Sequence, residues 1–207
     1  VGLGDLFFMK ESFSMTDTRL FVHALLDRSG SMEDCRDQTI DAFNHLVNGL
    51  KNKHESDARL SLTTFDSESV DTPFDQLRID DVPRLARDTF VPRASTPLFD
   101  AIGKTVAAID RITRLPCERV TLSILTDGLE NASTEYTADT VRRLLTDRQE
   151  RCHWLVQYLG ANQDAWAAGR QIGVAAAYAM DYDKASLRPA MEAMSASIER
   201  YAASAEP

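Results

Sequence analysis

The sequence contains no apolar run approaching the roughly 20 residues that a membrane-spanning helix needs. Cysteine is scarce: Cys35, Cys117 and Cys152 show neither the close pairing of a zinc site nor the even count of a complete disulfide set. Positive charge is in deficit, with 23 basic against 32 acidic residues and a net charge of -9. That balance disfavours non-specific binding to nucleic acid or to an anionic membrane, so neither is expected as a partner. No G-x-x-x-x-G-K-[ST] phosphate loop, G-x-G-x-x-G fingerprint or G-x-S-x-G nucleophile elbow is present. The opening residues 3–9 lack the basic lead-in and small-residue cleavage site of a secretory signal, which with the few cysteines predicts a cytoplasmic location. The chain begins with Val1, and Met15 is a candidate native start, so residues 1–18 read as an N-terminal extension.

What is present is 43% hydrophobic content in 207 residues, enough for one well-buried core. Residues 19–207 read as a single domain in which strands and helices alternate. The nearly continuous apolar run 20–26 is typical of a buried parallel strand, and Ile40, Phe43, Val47 and Leu50 step at helical spacing behind it. A strand is predicted over 58–65, with 69–74 returning beside it as a short edge strand that tolerates Pro73. Residues 75–93 read as a loop with a short helical piece. Leu98, Ile102, Val106 and Ile109 then mark a helix, 119–126 a strand, and 138–151 a helix. A strand over 153–159, a short helix over 164–172, a last strand over 174–180 and a final helix over 186–203 complete the series. This order predicts an α/β fold: a doubly wound, mainly parallel central sheet with one short antiparallel edge strand and helices on both faces.

The first strand ends in Asp27-Arg28-Ser29-Gly30-Ser31, which places one carboxylate and two hydroxyls at a strand terminus. Oxygen-only donors of this kind suit a hard cation, and neutral hydroxyls leave much of its charge uncancelled. Thr96 precedes a helix and Asp127 ends an apolar strand, so both also fall where strands hand over to helices, the usual ligand-binding edge of an open α/β sheet. Each residue has an ordinary structural use as well. Asp27 and Thr96 could cap helices, Ser29 and Ser31 could shape a turn, and Asp127-Gly128 could form one. Glu130 and Asn131 follow Asp127 and could face the site but read first as loop residues leading to a helix, Asp34 and Asp100 read as surface positions, and His23 as a hydrogen-bonded core histidine.

At these residues the chain resembles the von Willebrand factor A family, whose metal-ion-dependent adhesion site joins Asp-x-Ser-x-Ser to a distant Thr and a distant Asp. The resemblance covers about residues 19–203 and assigns Asp27, Ser29, Ser31, Thr96 and Asp127 to the metal. It implies Ser29, Ser31 and Thr96 as direct ligands, with Asp27 and Asp127 acting largely through water. Mg2+ or Mn2+ is the implied ion, with Ca2+ ranked below them. It further implies a protein partner whose Asp or Glu completes the coordination shell, and coupling of that contact to a shift of the helix over 186–203. The lack of a signal or membrane segment is most similar to stand-alone intracellular members of bacterial or phage type, with roles in assembly or regulation. Two alternatives remain open on the residues alone. One is a Mg2+-dependent phosphohydrolase using Asp27 as nucleophile, against which stands Ser29 where a second carboxylate is wanted. The other is a metal-independent scaffold.

Overall fold

The computed structural model describes residues 19–53, 58–113, 119–161, 165–183 and 187–204. The N-terminal extension, Cys117 and the predicted start of the final helix at 186 lie outside them. A six-stranded sheet runs in the order β3-β2-β1-β4-β5-β6. Its strands are β1 (Leu20–Asp27), β2 (Arg59–Phe65), β3 (Val70–Arg78), β4 (Arg119–Thr126), β5 (Leu155–Ala161) and β6 (Ala179–Tyr182). All neighbours are parallel except β2 and β3. β1 lies between β2 and β4 and is buried at every position, which is why its sequence reads as an unbroken apolar run rather than an alternation.

The two faces of β1 feed two cores. Val22, Ala24 and Leu26 pack with Phe43, Leu46 and Leu50 of α1 (Arg36–Lys53) and with Met191, Met194 and Ile198 of α5 (Arg188–Ala203). Phe21 and Leu25 pack against Ile102, Val106 and Ile109 of α2 (Leu98–Ile112), Val141 and Leu145 of α3 (Ala138–Arg151), and Ala165 of α4 (Ala165–Gln171). Burying one such Leu or Ile contributes roughly 1.5–3 kcal/mol. His23 is buried on the second face, where Nε2 lies 2.9 Å from Thr63 Oγ1, as expected of a core histidine. Burial pushes its pKa down to about 3. Arg119, buried at the amino end of β4, donates to the carbonyls of Tyr201, Ala202 and Ser204 and stacks on the Tyr201 ring, gripping the carboxyl end of α5. Among the described residues no helix is long and apolar enough to cross a membrane.

Three boundaries differ from expectation, each for a local reason. β3 is longer than the short edge strand predicted over 69–74 and takes in the first part of the predicted loop. Its register against β2 shifts twice, and Gln76 adopts a φ of 49°. The resulting irregularity lets Phe74 and Leu77, three residues apart, pack on the same core and erases the two-residue period. β5 begins at Leu155 rather than 153 because His153 sits in the left-handed region at φ 56°. The strand predicted over 174–180 shrinks to Ala179–Tyr182. The residues before it wrap the end of α4, with Val174 N–H donating to Gly169 O at 2.8 Å, and then form a 3-10 turn at Ala176–Tyr178.

Candidate metal centre

The strand order reverses between β1 and β4: the chain leaves β1 for α1 on one face and β4 for α3 on the other. A crevice opens at their carboxyl ends, the position where open α/β sheets bind ligands. Asp27 closes β1 and is fully buried. Its Oδ1 accepts from Ser29 N–H at 2.7 Å and its Oδ2 from Thr126 Oγ1 at 2.5 Å. The bond to Ser29 is a side-chain-to-backbone turn closure that bends the chain across the strand end. Ser29 Oγ and Ser31 Oγ then lie 3.2 Å apart, and Ser31 Oγ donates to Asp127 Oδ1 at 2.6 Å.

Thr96 approaches from a third loop. A Cβ placed on Gly128 would lie 3.0 Å from Thr96 Oγ1, 3.7 Å from Ser31 Oγ and 3.8 Å from Asp27 Oδ2. Gly128 thus faces a small space bordered by three oxygens, and a side chain there would crowd it. All five residues singled out in the sequence come together here. Asp27, Ser29 and Thr96 are buried, Asp127 is half-buried, and Ser31 is exposed.

These donors fit a hard divalent cation. Six oxygens at about 2.1 Å in an octahedron place adjacent oxygens about 3 Å apart, and the observed hydroxyl and carboxylate separations of 3.2 and 2.6 Å straddle that value. Among the described residues no group of three or more His, Cys, Asp or Glu side chains could hold a metal, and the donors gathered here are two carboxylates and three hydroxyls. Electrostatics points the same way. Burial raises the Asp27 carboxyl to about 6; hydrogen bonds from Thr126 and Ser29 oppose the rise, and the charge of Asp127 adds to it. Arg28 offers no relief. Its guanidinium turns away to Asp66 at 2.7 Å and Asp71 at 2.9 Å, where Arg93 also meets Asp66 at 3.0 Å. Burial alone would raise the Asp66 carboxyl, but the amides of Glu68 and Ser69 and these two guanidiniums hold it below the ordinary value.

The capping role considered for Thr96 is overturned. The N-cap of α2 is Pro97, which supplies no side-chain cap bond. The helix is capped instead from the loop between β4 and α3: Phe99 N–H donates to Glu130 Oε2 at 2.9 Å and Asp100 N–H to Ser133 Oγ at 3.0 Å. Asn131 Oδ1 accepts from Thr96 N–H at 2.9 Å, and Asn131 N–H donates to Thr96 O at 3.1 Å. The hydroxyl of Thr96 is therefore not needed for the helix end. Asp100, read as a surface residue, is buried and accepts from the amides of Thr134, Glu135 and Tyr136. Glu130 and Asn131 thus serve the surroundings of the centre as loop residues, and Thr126, Ser133 and Asp100 shape it without having been marked as doing so. Tyr182 joins them, its hydroxyl 3.4 Å from Thr126 O. Burial first, then Cys35, Asp127 and Asp27, push its phenol far above the usual value.

The chain matches no protein-family model and no curated protein by sequence. Solved structures are similar to it in fold. The von Willebrand factor domain of the type V pili tip protein Mfa5 from Porphyromonas gingivalis superposes with a TM-score of 0.67 at 10% identity, over 92% of this chain and 98% of that one. A von Willebrand factor type A protein from Catenulispora acidiphila gives 0.62 at 16% identity, over 87% of this chain and 43% of that one. Proximal thread matrix protein 1 from the mussel byssus, with zinc in its MIDAS motif, gives 0.57 at 16% identity, over 85% of this chain and 47% of that one. This chain spans less than half the length of the latter two. Sheet order, the single antiparallel edge and the helices on both faces agree with these neighbours: the chain has the fold of von Willebrand factor A domains.

Proposed function

We propose that this domain is a metal-dependent protein-interaction module in which Asp27, Ser29, Ser31, Thr96 and Asp127 hold Mg2+ or Mn2+. Ser29, Ser31 and Thr96 supply direct oxygens, and Asp27 and Asp127 orient those hydroxyls and bound water. A cation held mainly by neutral hydroxyls keeps residual positive charge and an open coordination position, which an Asp or Glu of a partner protein completes. The convergence of the five side chains from three separate loops on one crevice carries this reading. The zinc-bearing MIDAS motif of the mussel protein of the same fold supports it.

The surroundings suit protein contact. The large apolar residues exposed among those described are Val91, Leu129 and Trp166. Leu129 stands two residues beyond Asp127. Val91 is on the segment that leads to Thr96 and bonds across to Arg28 and Gly30 through Arg93 N–H and Ala94 O. A catalytic reading finds less support. Both Asp27 oxygens accept hydrogen bonds, and Ser29 stands where a phosphohydrolase of the nucleophilic-aspartate kind carries its second carboxylate. Titration calorimetry with Mg2+ and Mn2+ should show saturable binding to the wild type and a loss of about tenfold or more in Asp27→Ala. Partner capture should fail in EDTA. Equal metal binding by the two proteins overturns the assignment.

A further inference from the structure

We infer a second interaction surface, in the groove between α3 and α4, that takes an acidic peptide segment carrying an aromatic side chain. The groove is shallow and open to solvent, with a volume of about 480 Å3, and is lined by Ala138, Asp139, Arg142, Trp166, Arg170 and Gln171. Trp166 is 46% exposed, although a buried position would remove far more apolar surface from water. The guanidinium of Arg170 lies 5.3 Å from the centre of the Trp166 ring, and among the described residues no carboxylate pairs with it. Asp139 is shared between Arg142 and Arg143, at 3.1 and 3.0 Å, so among the described residues of this flank positive charge outnumbers negative. The shaft of Arg142 runs beside the turn at Gly173, whose φ of 84° is open to glycine: a Cβ added there would come within 3.1 Å of Arg142 Cγ.

A locally basic patch on a chain of net charge -9 selects by charge. A long polyanion meets the repulsion of the whole molecule, whereas a short acidic segment meets only the groove. Trp and Arg are also the side chains that most often dominate binding energy at protein interfaces. The part of the Trp166 ring left exposed beside Arg170 offers apolar contact to an aromatic neighbour, and Arg170 and Arg142 present donors for the flanking carboxylates. The metal centre is not required for any of these contacts.

The protein contains two tryptophans, and Trp154 is buried, so emission changes on binding at the groove originate at Trp166. A ten-residue probe rich in Asp and Glu with one central Phe is titrated against the full chain in EDTA, which removes any contribution from a bound cation. The expected result is a saturable emission change that disappears in Trp166→Phe, persists in Asp27→Ala, and requires about tenfold more peptide in Arg170→Ala. No saturable change, or an equal response to the same peptide with Lys at the acidic positions, overturns the inference. Self-association detected by sedimentation and lost in Trp166→Ala also overturns it, by making a second copy of the chain the occupant.

Discussion

Asp27 is a carboxylate held in a place that disfavours its charge, and its behaviour with pH follows. With the folded pKa raised to about 6 from an ordinary 3.8, its contribution favours folding at low pH and is lost as pH rises through 6. In metal-free protein at pH 7.5, Asp27→Asn should therefore be more stable than wild type by about 3 kcal/mol, with the difference vanishing near pH 4, as read by urea unfolding. His23 acts in the opposite sense. Its pKa is lowered to about 3, so its contribution is complete above about 6.5 and is lost as pH falls toward 3. Thr126→Val keeps the shape of the site but removes the 2.5 Å hydrogen bond to Asp27, and Mg2+ affinity should fall roughly tenfold by calorimetry. The five candidate residues were legible because oxygen donors at strand ends occur in the order that the resemblance to the von Willebrand factor A family implies; each taken singly reads as an ordinary cap or turn residue. Thr126 was not, because its partner lies 99 positions away and nothing local distinguishes it from any strand threonine.

Helix α2 is tied at its amino end to a loop from another part of the chain, and Gly103 shows how closely. A Cβ on Gly103 would sit 2.4 Å from the ring of Tyr136, whose amide binds Asp100. Gly to Ala inside a helix ordinarily stabilises by about 1 kcal/mol. Here Gly103→Ala must displace the Tyr136 ring, so thermal unfolding should show a net loss of stability, and Mg2+ affinity should fall as the loop bearing Glu130 and Asn131 loosens. The helices themselves were readable from their apolar spacing: Ile102, Val106 and Ile109 all reach the core. The capping of α2 was not readable, since Glu130 and Ser133 lie more than thirty residues beyond the amides they cap. The full length of β3 was hidden by its irregular register, and the true start of β5 by the left-handed turn at His153.

For the molecule as a whole, a cation bound as proposed would add to the stability of the folded state alone. Mg2+ at about 100 times its Kd should stabilise by about 2.7 kcal/mol and raise Tm by roughly 5–10 °C at pH 7.5, with no such rise in Asp27→Asn. The α/β class and the alternation of elements were legible because the central strands read as apolar runs and the surface helices as stripes. The patterns placed the candidate residues at strand carboxyl ends, while the strand order that puts the crevice between β1 and β4 emerged only in the structure. At the opposite end of the sheet, Arg119 holds the last carbonyls of α5, and the hydroxyl of Tyr201 bonds to His153 O at 2.8 Å. The final helix is thus moored at its foot, far from the crevice. A displacement of α5 that keeps those bonds is a swing about that fixed end rather than a slide along its axis, and its amino-terminal turn travels furthest.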